Sequence, residues 1–372
     1  MKKIRDLILY KDARFYSSFP SAAVLPQGRF LIVFRRARET RWLLPAEVPE
    51  ELAALRTRVD HVDARSQLVA THYDRQTGAV SKPVTLSPNP EAADQDASLL
   101  ALSNGKLLLS SFSWYPYPAA FAPVVKPWGR TIGSPEREGC LFLFWGGFTR
   151  HSDDGGVSWS EHAYLPALPN VPDIIPGRRA YLGGGVRGQA VEWRDEILLP
   201  VYEVGAHLFA SADGGNNWTY RGCIAQDSSG VMRINEPALV VTPSGAVVAL
   251  MRSQNGRDRL IEARSADGGR SWSTWRECAV VGHPFHPLKL PDQRVLLSYG
   301  YRHSPYGIRA RILDPECSNI DESEEFIVRD DGFCPDLGYP WAICLDDSTV
   351  LIIYYFCGVD TIRHIAATEI AL

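Results

Sequence analysis

The octapeptide Ser211-Ala212-Asp213-Gly214-Gly215-Asn216-Asn217-Trp218 has two relatives in the same chain. They are Ser152-Asp153-Asp154-Gly155-Gly156-Val157-Ser158-Trp159 and Ser265-Ala266-Asp267-Gly268-Gly269-Arg270-Ser271-Trp272, and all obey S-x-D-x-G-x-x-W. A turn of this composition is self-contained. The aspartate accepts nearby backbone N–H groups, the glycine reaches positive φ, and the tryptophan lays its ring over the turn and presents its N–H. Degenerate copies stand near Tyr73-Asp74 and Leu313-Asp314. The turns are read as staples of a repeated fold, not as a ligand site.

Upstream of each turn the chain repeats a larger pattern: an apolar strand, a tight polar turn, and a second, more apolar strand. The copies are Ser21–Arg35 (SAAVLPQGRFLIVFR), Ala97–Phe112, Gly188–Glu203, Glu236–Arg252 (EPALVVTPSGAVVALMR), His286–Arg302 and Tyr339–Tyr355 (YPWAICLDDSTVLIIYY). Each reads as a β-hairpin. A third strand follows, as in HLFASADGG from His207 or RLIEARSADGG from Arg259, and usually a fourth. Six four-stranded units with almost no helical periodicity predict an all-β, six-bladed β-propeller, with residues 1–372 as a single domain.

The 372 residues are 45% hydrophobic and 22% charged, an ordinary globular composition. Thirty-nine Lys and Arg against 43 Asp and Glu leave a net charge of −4, without the basic excess that nucleic acid binding needs. Charges at Arg5, Asp6, Lys11 and Asp12 interrupt any secretory apolar region, and no later run has the length of a membrane helix. The reading is a cytoplasmic protein with neither membrane nor nucleic acid as partner. Seven cysteines without a Cys-x-x-Cys pair fit reduced thiols. His283 and His286, each followed closely by proline, read as an extended segment rather than a metal site, and Gly183–Gly188 (GGGVRG) as a loop rather than a dinucleotide fingerprint.

Two units carry long insertions between their second and third strands, at about 36–60 and 113–140. In a four-stranded meander that connection lies opposite the S-x-D-x-G-x-x-W turn, so the insertions mark one face as the binding face. Within the first, Pro49–Val59 is expected to form a short helical lid. Topology brings Arg35, Arg36, Asp60, Asp63, Asp96 and Arg187 to this face from the first half of the chain. Glu236, Arg252, Arg302, Arg309 and Tyr339 join them from the second. Converging guanidinium forks match a planar carboxylate, which points to an anionic ligand.

With these turns the chain resembles the sialidase superfamily over nearly its whole length. The resemblance implies an exo-acting glycoside hydrolase that needs no cofactor, holds an acidic sugar with arginines, and uses a tyrosine nucleophile paired with a glutamate. Asn235-Glu236-Pro237-Ala238 followed by Met251-Arg252 resembles the segment bearing the glutamate and one arginine of the triad. Ser304–Arg309 is similar to the segment of another, which makes Arg309 the choice, with Arg302 as the alternative. Leu337-Gly338-Tyr339-Pro340 resembles the nucleophile segment. Asp60, in preference to Asp63, falls where the general acid is expected, and Asp96 where an acid either reaches the substrate or serves as a structural partner for an arginine. The family's first triad arginine precedes Ile-Pro, whereas here Ser18 precedes Phe19-Pro20, so Arg35 or Arg36 would have to compensate. The alternatives are a non-catalytic propeller that binds glycans or a protein, and a glycosidase or lyase for another sugar such as a uronic acid.

Overall fold

The six hairpins form the two inner strands of six antiparallel sheets, in a computed structural model that describes residues 1–25, 28–45, 47–53, 62–125, 131–137, 139–169 and 183–372. After β1 (Lys2–Tyr10), blade one is β2 (Phe15–Val24), β3 (Arg29–Arg38), β4 (Gln67–Asp74) and β5 (Val84–Thr85). Blade two contains β6 (Ala93–Asp94), β7 (Ser98–Ala101), β8 (Leu107–Pro118), β9 (Thr131–Arg137), β10 (Cys140–Ser152) and β11 (Ala163–Tyr164). Blade three is β12 (Val191–Trp193), β13 (Glu196–Glu203), β14 (Gly205–Ser211) and β15 (Thr219–Ala225). Blade four is β16 (Arg233–Val241), β17 (Val247–Gln254), β18 (Arg259–Ser265) and β19 (Arg276–Val281). Blade five is β20 (Phe285–Lys289), β21 (Val295–Tyr301), β22 (Tyr306–Leu313) and β23 (Glu325–Gly332). Blade six has β24 (Gly338–Cys344), β25 (Thr349–Cys357) and β26 (Arg363–Ala371), and takes β1 as its fourth strand. The two ends of the chain thus close the ring, with Lys2 opposite Ala371 and Arg5 Nε 2.8 Å from Glu369 Oε2. This closing strand is not legible in the sequence, because its outer position leaves Lys2–Asp6 exposed and polar.

Alternation along the second strands explains their unbroken apolar runs. On β3, Phe30, Ile32 and Phe34 share a cluster with Trp341 and Ile353 of blade six, whereas Leu31 and Val33 join Leu99 and Leu109 of blade two. Likewise β25 turns Leu351 and Ile353 toward blade one and Val350 and Ile352 toward blade five. A strand buried on both faces has no solvent side to fill with polar residues. Ile353 is fully buried in one of these wedges, so Ile353→Ala is expected to cost roughly 2–5 kcal/mol. The midpoint of urea unfolding measures this; an unmoved midpoint would contradict the wedge packing.

The repeated turns behave as staples. Asp154 accepts Ser152 Oγ at 2.8 Å, Val157 N at 3.0 Å and Ser158 N at 2.9 Å, and Asp213 and Asp267 repeat the pattern. Their carboxylates are occupied by their own turns. In the second insertion β8 and β10 stay paired as far as Pro118 and Cys140, and helical turns at Ala119–Phe121 and Ala122–Val125 follow β8. In the first insertion Glu50–Leu52 is a single 3-10 turn, and the rest of the expected lid, 54–59, lies outside the described residues.

Candidate active site

Three of the innermost strands carry the same irregularity. Register slips between Ser18 and Ser21 on β2, Asn235 and Ala238 on β16, and Gly338 and Trp341 on β24. At each slip the residue before a proline has positive φ: 55° at Phe19, 49° at Glu236 and 53° at Tyr339. Such backbone costs on the order of 1–3 kcal/mol per residue and is retained where it re-aims a side chain. Here the three side chains converge. The Phe19 and Tyr339 ring centroids are 4.7 Å apart, and the Tyr339 phenol donates a hydrogen bond to Glu236 Oε1.

Arg252 Nη1 donates to the other oxygen of Glu236 at 3.0 Å. Burial alone would raise the Glu236 carboxyl, but Arg252, the phenol's hydrogen bond and Arg302 together hold it below the usual carboxylate range. Burial, then the Glu236 charge, pushes the Tyr339 phenol up. The proton therefore rests on the phenol, with a deprotonated carboxylate beside it. Arg302 lies over the Tyr339 ring at 5.3 Å and donates to Leu337 O at 2.9 Å and to Tyr355 Oη at 2.7 Å. Tyr355 passes the chain on to Asp336 at 2.9 Å, and Asp336 also accepts Tyr16 Oη at 3.0 Å and Arg363 Nε at 2.8 Å. A buried polar network of this kind fixes its members in one arrangement.

Arg35 and Arg36 part company, because neighbours on a strand face opposite ways. Arg35 is fully buried, lies opposite Ser18 in the β2–β3 ladder, and sits 5.7 Å from the Tyr16 ring and 5.8 Å from the Phe19 ring. Its guanidinium therefore comes from the strand paired with Ser18. Arg36 instead covers Phe15 at 4.4 Å and reaches Thr85 Oγ1 at 3.3 Å. Arg309, preferred over Arg302 from the sequence, does not join the cluster. It is bound by Arg329 O and by Pro305 O at 3.2 Å, beside Glu325 at 3.5 Å and over the Tyr301 ring. Asp63 caps its own turn through Arg65 N at 2.6 Å and pairs with Arg38 at 3.2 Å. Asp60 lies outside the described residues.

Asp96 is buried within the field of Arg187, Glu236, Arg35 and Arg252. Burial is the largest influence and raises its carboxyl to about 7, with Arg187 opposing and Glu236 adding to the rise. Between an unfolded value of 3.8 and about 7 the folded chain holds a proton that the unfolded chain has lost. Stability from this group therefore falls as pH rises through that window, by on the order of 4 kcal/mol at most. Asp96→Asn is expected to be stabilised relative to wild type at pH 8 and to lose that advantage near pH 4, measured by urea unfolding. Parallel pH slopes for the two proteins would refute the shift.

Tyr202, at the end of β13, was not singled out from the sequence. It is half-buried, and burial followed by the charge of Glu236 raises its phenol well above the ordinary value. The usable signal was the hairpin copy itself, since Tyr202-Glu203 occupies the strand end that Arg35 and Arg252 occupy in their own copies. His283 and His286 are held neutral, at about 2 and about 3, burial being the main cause in both. His286 stacks on Trp341 at 4.4 Å. Among the described residues no group of three metal-binding side chains is present.

Residues 134–310 match the family model for the BNR repeat-like domain. A crystal structure of a protein of unknown function from Dyadobacter fermentans DSM 18053 has a TM-score of 0.87 and 33% identity, covering 100% of this chain and 99% of that one. The chain is a six-bladed propeller with a BNR repeat-like domain over residues 134–310. This BNR-repeat propeller also matches the K499G mutant of NanB sialidase from Streptococcus pneumoniae, with TM-score 0.65, 11% identity, and coverage of 100% of this chain and 70% of that one. The intramolecular trans-sialidase from Ruminococcus gnavus gives TM-score 0.61 and 12% identity over 98% of this chain and 96% of that one. At these identities the likeness of the BNR-repeat propeller to the sialidases is one of fold. No curated protein sequence matches it.

Proposed function

We propose that this propeller is an exo-acting glycoside hydrolase of sialidase type that removes a terminal acidic sugar. The observation that carries the reading is the Tyr339 phenol donating to Glu236 while Arg252 holds the second oxygen of that carboxylate. A phenol is a weak nucleophile at neutral pH, and a carboxylate placed to take its proton removes that weakness. Tyr339 Oη attacks the anomeric carbon, its proton passes to Glu236, and the glycosidic bond breaks as the leaving oxygen is protonated. Asp60 is the proposed donor of that proton. Water then gives a proton to Asp60 and attacks the anomeric carbon, and the released Tyr339 oxygen takes its proton back from Glu236. A neutral nucleophile also avoids driving a negative charge toward an anionic sugar. Arg252, Arg302 and Arg35 supply positive charge around the pair, and Asp96 is proposed to meet a sugar hydroxyl.

Ser18 favours a second reading. With the expected arginine absent and Arg35 opposite it in the ladder, the same propeller could serve another sugar or bind a glycan without cleaving it. The test is fluorophore release from aryl α-ketosides of nonulosonic acids and from aryl uronides, using the purified full chain. Turnover of a ketoside supports the sialidase-type reading, and turnover of uronides alone overturns the substrate assignment. Silence across the panel from a folded protein overturns the hydrolase reading in favour of a binding propeller.

A further inference from the structure

The loop 183–188 precedes blade three, yet its arginine serves other blades. Arg187 is buried, and its Nη1 donates to Pro20 O and Ala97 O, both at 3.2 Å, while Nη2 donates to Tyr339 O at 2.8 Å and Pro340 O at 3.4 Å. These carbonyls belong to the innermost chain of blades one, two and six. The guanidinium also lies 5.0 Å from the Tyr339 ring centroid and 5.6 Å from that of Trp341.

The need for such a donor follows from the bulges. Prolines at 20 and 340 have no N–H, and the register slips beside them interrupt the ladder. Carbonyls there are buried and must find donors elsewhere. Arginine is the one side chain whose planar fork offers five N–H groups, so it can serve several carbonyls at once. The same loop also rests on the glutamate's strand. A Cβ on Gly188 would lie 1.9 Å from Pro237 O and 2.6 Å from Ala238 Cα, immediately after Glu236. One short loop therefore touches the backbone beside both members of the pair, although these lie 103 residues apart.

We infer that Arg187 is a positioning residue: by bonding the carbonyls of Tyr339 and Pro340 it fixes the bulged backbone that brings the phenol onto Glu236. The inference rests on the proposed role of that pair. With its two terminal nitrogens on four backbone carbonyls, Arg187 acts on the reaction through Tyr339 and not by holding the sugar.

The test uses Arg187→Gln and Arg187→Lys in the full chain, with 3-fluorotyrosine placed at position 339 as a 19F probe. In Arg187→Gln, kcat is expected to fall about 100-fold, the scale of a small misplacement of a reacting group, while KM stays within about threefold. The single narrow 19F line expected of wild type should split or broaden. Arg187→Lys, which keeps the charge but loses the fork, should recover about a tenth of wild-type kcat, and it is the variant read if Arg187→Gln does not fold. An unchanged, narrow 19F line in the folded variant overturns the inference, as does wild-type kcat. So does a lower unfolding temperature accompanied by neither a 19F change nor a selective loss of kcat. If wild type cleaves nothing in the sugar panel, the hydrolase reading fails by itself. The 19F arm then decides whether Arg187 positions Tyr339: a split line upholds it and an unchanged line sinks it.

Discussion

Tyr339→Phe is expected to lower kcat by about 1000-fold or more, a loss on the scale of removing a nucleophile. It should do so in a protein that still folds. The ring remains packed between Phe19 and Tyr355, with centroids at 4.7 and 5.8 Å, and only the phenol oxygen is lost. Glu236 keeps its ion pair with Arg252 at 3.0 Å, so the stability cost is that of one buried hydrogen bond, about 1–2 kcal/mol. Initial rates on whichever glycoside the wild type cleaves, read beside a thermal melt, separate the two effects. Wild-type turnover in a folded Tyr339→Phe protein would remove Tyr339 as nucleophile. Loss of turnover by wholesale unfolding would show that the pair serves the fold first.

Glu236→Gln should act on both activity and stability. Without the carboxylate the phenol has no acceptor for its proton, and a loss of about 10²–10⁴-fold in kcat is expected. Arg252 meanwhile keeps its charge in a largely buried position and loses the carboxylate it is paired with. Breaking a buried pair from one side typically costs about 3–5 kcal/mol. The pH dependence carries a sign that can be checked. The folded carboxyl of Glu236 is held below its ordinary value, so its contribution is present above the unfolded pKa and is lost as pH falls through the folded one. The stability gap between wild type and Glu236→Gln should therefore be widest near neutrality and narrow in acid. A gap of equal size at pH 7 and at pH 3, by urea unfolding, would count against a charged Glu236.

These two residues also show how far a sequence can be read. Glu236 and Arg252 belong to one hairpin, with Asn235 opposite Arg252 in the ladder, so a tight turn alone brings them near each other. Gly-Tyr-Pro at the start of the last hairpin marks Tyr339 in the sequence, but its contact with Glu236 joins blades four and six. The dipeptides Phe19-Pro20, Glu236-Pro237 and Tyr339-Pro340 are visible in the chain as repeats of one idea. Their positive φ and slipped register are not, since residues before proline ordinarily favour extended backbone. Arg309, which the sequence favours over Arg302, lies outside the Tyr339–Glu236 cluster for a related reason. Proximity in sequence to the binding face does not say which way a side chain leaves its strand, and Arg309 is taken up by Arg329 O and Pro305 O.

The repeated turns, the six hairpins and the apolar second strands are local patterns, and local patterns were enough to determine a six-bladed propeller. The serine at position 18, before Phe19-Pro20, was equally plain from the sequence. Only the tertiary structure decided that Arg35 lies across from Ser18, that β1 closes blade six, that burial raises the Asp96 carboxyl against the arginines around it, and that Arg187 binds three other blades. The physical reason is parity and distance. Strand periodicity assigns a face only until a bulge inserts a residue and reverses it. Carbonyls from blades one, two and six come within reach of one guanidinium only after the ring has closed.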